Sequence, residues 1–368
     1  MNAKQIARSF QASNFESAKG LFGIFTNCHY QTIVGSEALR VKLIGNIPRN
    51  FHTSSQRFET RDSDFFDVEF SDNIETSLGV VVVLHGLESS TKGPLVTKMA
   101  SSFINAGFAV CLMSFRGCNG DDNLTQGAYH LGFTTDVHQL VEYINNKYPN
   151  LNIYLSGFSL GGNVCLKYLS EIGENCIKLN CKGAVVTSVP FDPVASQHKI
   201  DQGFNRFVYS ENFLATVKVL ILISLTHSLT HSYHLKQKAE RKYQLYQEKC
   251  VFDINKVRQC RTIGDFDDCF IAPVYNFKDK VDYYRRTGSK WLLKDIRVPT
   301  ICINALDDPF VEVTSLPTEQ DVADAPVRLI YTPYGGHCGF ISEDNESYQY
   351  GWLAHEMARG LQHFHENV

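Results

Sequence analysis

From residue 65 onward, short apolar runs alternate with amphipathic stretches. Phe65–Phe70 alternates apolar and polar side chains, the period of a half-buried strand. Val80–Leu84, entered through Gly79, is an unbroken aliphatic run, the composition of a strand buried on both faces. Further strands are predicted at 108–115, 152–157, 183–189, 300–306 and 327–332. Helical patterns fall between them, at 92–105, at 133–147 and from residue 162 to about Leu169. A last one closes the chain at 351–364. In the second, Val137, Leu140, Val141 and Ile144 share one face. Strands alternating with helices predict an α/β class with a mostly parallel central sheet and helices on both faces.

Residues 191–297 break this rhythm. A strand-to-strand connection in such a sheet needs loops of about 2–6 residues around its helix. This interval is far longer, rich in Tyr, Lys and helix formers, and has no clear buried strand. It is predicted to be an inserted helical cap. The core is then 61–190 and 298–368, and the weakly patterned residues 1–60 form an extension packed on it.

Composition narrows the function. Of 368 residues, 43% are hydrophobic and 20% charged, enough for a substantial core. Lys plus Arg is 35 and Asp plus Glu 39, so the formal charge is −4 and no basic excess points to nucleic acid. The 11 cysteines are scattered and form no C-x-x-C pair, which favours free thiols over a disulfide framework. The polar start, Met1–Ser13, has no apolar core of a secretory signal. A cytoplasmic or organellar protein is expected, not a secreted one.

The chemistry begins at Ser159, inside Gly157-Phe158-Ser159-Leu160-Gly161 directly after a predicted strand. A serine at the tip of a sharp strand-to-helix turn has strained backbone and an exposed hydroxyl. The residues two before and two after it must be small, because strand and helix come close there. A serine nucleophile needs a base, and the base an orienting acid, in the chain order Ser, acid, His. The strand at 300–306 ends in Asp307-Asp308-Pro309, and spacing does not choose between the two acids. The next strand runs into Gly335-Gly336-His337-Cys338-Gly339, which places His337 as the base. An oxyanion hole needs two backbone N–H groups. Leu160, after the nucleophile, and Leu87, in the His85-Gly86-Leu87 loop after the 80–84 strand, are assigned to it.

Other features carry less. His85 and His130 near the same sheet edge are expected to be structural. Arg116 is expected to pair with a buried carboxylate. His227, His231 and His234 share a helical face without a completing acid or cysteine, so no metal is expected. Phe213–Leu225 is apolar but shorter than the ~20 residues of a membrane span. It is either a buried cap helix or one lying on a membrane surface.

Taken together, these segments resemble the YheT-like branch of the α/β-hydrolase superfamily, most closely its plant and algal embryogenesis-associated members. The resemblance rests on His85-Gly86-Leu87-Glu88, Phe115-Arg116-Gly117-Cys118, Tyr129–Phe133, Gly157–Asn163, Asn304–Pro309 and Gly335–Phe340. Cys28-His29-Tyr30-Gln31-Thr32 is similar to a worn form of the family's N-terminal signature. The resemblance implies an α/β-hydrolase fold and points to Asp308 as the acid. It implies a serine carboxylic ester hydrolase acting through an acyl-enzyme on lipid-like or medium-chain esters of the acylglycerol type. Acyl transfer by the same triad, or ligand binding without catalysis, are the alternatives. No cofactor or metal is implied, and any membrane contact is peripheral and through the cap. The resemblance implies an N-terminal anchor in animal relatives, and none is expected here. Residues 219–234 look inserted relative to the family.

Overall fold

Eight strands form one sheet: β1 (Thr53–Glu59), β2 (Phe65–Ser71), β3 (Val80–Leu84), β4 (Ala109–Ser114), β5 (Ile153–Phe158), β6 (Cys181–Thr187), β7 (Thr300–Ala305) and β8 (Val327–Thr332). They lie side by side in the order β1-β2-β4-β3-β5-β6-β7-β8 in the computed structural model of the chain. That structure describes residues 1–17, 26–35, 49–206, 209, 235–342 and 349–368. From β4 to β8 every pairing is parallel, while β1 and β2 add an antiparallel edge.

The period of two sorts the side chains of β3. Val80, Val82 and Leu84 join one core, Val81 and Val83 the other, and all five are buried. The longer helices are α1 (Ala3–Ser9), α2 (Pro94–Asn105), α3 (Thr135–Lys147), α4 (Leu160–Ile172), α5 (Pro193–Ile200), α6 (Leu235–Tyr246), α7 (Lys280–Thr287) and α8 (Trp352–Asn367). Helices α3 and α4 cover the first face, through Val137, Leu140, Val141, Ile144, Val164 and Leu169. Helices α2 and α8 cover the second, through Met99, Phe103, Trp352 and Met357. The chain therefore has an α/β-hydrolase fold with both sheet faces covered.

The strands predicted from the sequence appear within one or two residues of their expected ends. Strand β1 does not follow from the pattern, and lies in the stretch read as an extension. It is an edge strand with only Phe58 buried, so Thr-Ser-Ser-Gln-Arg-Phe-Glu carries almost no apolar alternation. Between β6 and β7 the described residues form helices and no strand, with their own apolar cluster that includes Leu235, Phe252, Phe266, Phe270 and Tyr283. The stretches Phe213–Leu225 and 219–234, and with them His227, His231 and His234, lie outside the described residues. Among the described residues no helix is long and apolar enough to cross a membrane.

Because β3, β5, β7 and β8 run parallel, their C-terminal ends open on one edge of the sheet. Leu87, Ser159, Asp308 and His337 all follow those ends within a few residues. That edge is where an open parallel sheet leaves its binding crevice.

Candidate active site

Ser159 joins β5 to α4 with φ 54° and ψ −125°, a conformation that L residues rarely adopt. Such strain costs on the order of 1–3 kcal/mol and persists only where the surroundings enforce it. Here the enforcing contacts are backbone to backbone. A Cβ on Gly157 would sit 2.7 Å from the Gly161 carbonyl, and one on Gly161 would sit 2.3 Å from Leu84 O and 2.4 Å from His85 O. The first glycine lets strand meet helix. The second lets the helix meet the end of the neighbouring strand β3, an approach that the motif does not announce by itself. The Ser159 N–H donates to Thr187 O at 3.1 Å, which ties the turn to β6 as well.

The Ser159 hydroxyl lies 2.9 Å from His337 Nε2, and His337 Nδ1 lies 2.8 Å from Asp308 Oδ2. A carboxylate only accepts, so Nδ1 carries the proton and Nε2 presents its lone pair to the serine. Asp308 is fully buried, and its other oxygen accepts the Phe310 N–H at 2.8 Å. Lys199 on α5 caps this turn from outside, with Nζ donating to Asp308 O at 3.0 Å and to Val311 O at 2.6 Å. Asp307 does something different. Its Oδ1 accepts the Gly336 N–H at 2.8 Å, so it braces the histidine loop through backbone. Burial and the neighbouring Asp308 push its carboxyl above the ordinary value.

Residues 26–35 brace the same loop from far away in sequence. Thr32 Oγ1 accepts the His337 N–H at 2.9 Å, and Gln31 Oε1 accepts the Ile341 N–H at 2.6 Å. Gly336, with φ 57°, has no room for a Cβ, which would meet Cys28 O at 2.6 Å and Thr32 Oγ1 at 2.7 Å. On the other side Ser188 Oγ accepts the Cys338 N–H at 3.0 Å. None of these braces follows from the triad pattern. The one signal was the Cys28–Thr32 signature, which had no role attached.

Leu87 and Leu160 border one cavity with Ser159 and His337. Leu160 is the first residue of α4, and a first-turn N–H has no acceptor within its helix. Leu87 is oriented by its neighbours. Gly86 O, on the peptide that carries the Leu87 N–H, accepts from His85 Nδ1 at 2.8 Å and from Ser89 N–H at 3.2 Å. In a trans peptide this turns the Leu87 N–H the opposite way. His85 Nε2 accepts the Phe115 N–H at 3.2 Å, so Nδ1 is its protonated nitrogen. Burial pushes the His85 pKa down to about 4, and the ring stays neutral.

The cavity is about 140 Å³. Leu131, Pro193, Ile200, Phe266, Phe270 and Ile271 make much of its wall apolar. His130 is in that wall too. Its Nδ1 accepts the Gly132 N–H at 3.1 Å, Tyr275 packs edge-on at 4.3 Å, and burial pushes its pKa down to about 3. Arg116 makes a two-pronged pair with Asp136 at 2.8 and 2.7 Å and reaches Asp62 at 2.6 Å. It is a buried brace, as the sequence led one to expect.

Residues 79–344 match the family model described as the alpha/beta hydrolase fold. YheT of Escherichia coli (strain K12) is 30% identical over 327 residues, which covers 86% of this chain and 85% of that protein. The embryogenesis-associated protein EMB8 of Picea glauca is 28% identical, over 74% of this chain and 56% of its own length. A monoacylglycerol lipase of Saccharomyces cerevisiae is 26% identical, over 80% of this chain and 62% of its own length. The chain belongs to the α/β hydrolase family, in its YheT-like branch, and is a serine hydrolase.

Proposed function

We propose that the chain hydrolyses carboxylic esters with apolar acyl chains through an acyl-enzyme on Ser159. The observation that carries this is the relay of 2.9 and 2.8 Å from Ser159 through His337 to a fully buried Asp308, opening on a mainly apolar cavity. Ser159 Oγ attacks the ester carbonyl while His337 Nε2 takes its proton. The new imidazolium keeps its Nδ1–H on Asp308, which orients the ring and offsets its charge. The Leu87 and Leu160 N–H groups receive the developing oxyanion, each worth about 3–4 kcal/mol of barrier. His337 then returns the proton to the leaving alcohol, and water, activated by the same nitrogen, releases the acid.

Residues 191–297 act as a cap that closes the cavity over the acyl chain. Lipid esters of the monoacylglycerol kind are the substrate class this reading favours. A free glycerol headgroup leaves one apolar chain for one apolar cavity, and the yeast relative carries that activity in its name.

The test is an ester panel from acetyl to long-chain acyl and monoacylglycerol, run beside fluorophosphonate labelling, with Ser159→Ala as blank. Turnover that rises with acyl length and vanishes, with labelling, in the alanine protein supports the reading. Wild-type rates from Ser159→Ala at matched purity would sink it.

A further inference from the structure

A charged cluster in the cavity wall takes no part in the steps above. Lys238 on α6 places Nζ 2.7 Å from Glu88 Oε1 and 3.4 Å from Cys118 Sγ. The Lys238 and Glu88 side chains are 7% and 6% exposed. Tyr129 closes the cluster. Its hydroxyl donates to Glu88 Oε1 at 2.9 Å and accepts the N–H of the same Glu88 at 2.7 Å. The Tyr129 ring stacks on Phe115 at 5.1 Å, and Lys238 Nζ sits 5.2 Å from its centre. Glu88 itself has φ 52°, left-handed backbone for a residue with a long side chain.

A buried ion pair is weak evidence for stability, because desolvation offsets the attraction. A strained backbone fixed by such a pair is better evidence of function, since strain collects where geometry matters. Glu88 directly follows Leu87. His85 and Ser89 anchor the peptide before Leu87, and Tyr129 anchors the one after it. The carboxylate that holds Tyr129 in place is neutralised by a lysine from another part of the chain. Without Lys238, the side chain at 88 loses the donor that ties it to α6 and holds its backbone in the strained region, whether it is charged or neutral, and as a carboxylate it would in addition turn toward water. Residue 88 would then leave the left-handed region, and the Leu87 N–H would lose its aim.

We propose that Lys238 is a positioning residue that sets the oxyanion hole through Glu88 and Tyr129, so that docking of cap helix α6 and alignment of the Leu87 amide are one event. This rests on the esterase reading above. It implies that an undocked cap leaves Ser159 and His337 in place but the tetrahedral intermediate without one of its two donors.

The test compares wild type with Lys238→Met, Lys238→Arg and the double variant Glu88→Gln/Lys238→Met. The double variant buries no unpaired charge, so it keeps the fold even where Lys238→Met alone loses it. Each protein is measured for kcat and KM on a p-nitrophenyl ester, for melting, and for affinity toward an alkyl trifluoromethyl ketone. The serine adduct of that ketone places an oxyanion in the hole. Expected is a fall in kcat of about 10–100-fold in the methionine variants, within what loss of one donor produces. Ketone affinity should fall in parallel, KM should stay within about twofold, and Lys238→Arg should avoid most of the loss because it keeps a cationic donor opposite Glu88. A double variant that melts cooperatively and keeps wild-type kcat and ketone affinity overturns the proposal. So does a rise in KM at unchanged kcat, which would make the pair cavity wall alone. Wild type that neither turns over esters nor takes a fluorophosphonate label refutes the esterase reading instead, and this proposal with it.

Discussion

The hydroxyl of Thr32 accepts the backbone N–H of His337 at 2.9 Å, across 305 positions of sequence. The same hydroxyl donates to Cys28 O at 2.7 Å, so it is both oriented and filled. Thr32→Val keeps the shape and removes both bonds. A buried N–H left without a partner costs about 1–3 kcal/mol. The expected result is a kcat about tenfold lower with KM nearly unchanged, because the histidine moves and the cavity does not. Steady-state kinetics on a short ester decides it, and an unchanged kcat would reduce the contact to packing.

The two adjacent aspartates should separate cleanly. Asp308 touches the imidazole, while Asp307 accepts from the backbone of the histidine loop at Gly336. Asp308→Asn should lower turnover on the order of 10⁴-fold by favouring the wrong tautomer. Asp307→Asn keeps an oxygen for Gly336 and should stay within about tenfold of wild type, since a neutral acceptor weakens but does not delete the bond. The reverse ranking in kcat would show that the acid has been misassigned.

Gly161 tolerates no side chain. A methyl there meets two carbonyl oxygens of backbone, not the movable end of a side chain. Gly161→Ala should destabilise the fold by more than about 3 kcal/mol, beyond the usual range for overpacking, because neither strand nor helix can yield alone. Denaturant unfolding measures this. A protein of near wild-type stability would mean that the elbow is more pliable than its contacts indicate.

Stability should depend on pH in two opposing ways. Burial pushes the Asp267 carboxyl up to about 7 from its ordinary 3.8, against the hydrogen bond it accepts from Tyr284 at 2.5 Å. The folded state keeps a proton that the unfolded chain releases, so this contribution is full below 3.8 and is lost as pH rises through 7. His85 and His130, held neutral with pKa values of about 4 and 3, act the other way and withdraw stability as pH falls below 6.5. Asp267→Asn removes only the first effect. It should melt higher than wild type at pH 8, by roughly 2–4 kcal/mol of stability, and converge with it near pH 4. A variant no more stable at pH 8 contradicts the burial argument.

The parallel core was legible because strands such as Val80–Leu84 are buried on both faces and leave no polar positions to blur the run. Ser159, His337 and the Asp307-Asp308 pair were legible because each sits where a predicted strand stops. Edge strand β1 was not, since solvent on one side lets Ser, Gln and Arg stand where a core would need apolar groups. The braces at Gln31, Thr32, Ser188 and Lys199 were hidden for another reason. Their bonds go to backbone N–H and C=O groups, which look alike at every position of a sequence. The Lys238–Glu88 pair joins positions 150 apart, and only the fold brings them together.

The stretch that matches the family model, 79–344, holds every group assigned a chemical step. It omits Gln31 and Thr32, which hold the histidine loop, and the outer strands β1 and β2. A protein trimmed to that stretch would carry a full set of reagents on a slackened frame. The part of this chain that matches the family model is thus smaller than the part that holds the reacting groups in place, and moving that stretch alone into a new context would transfer the reagents without their braces.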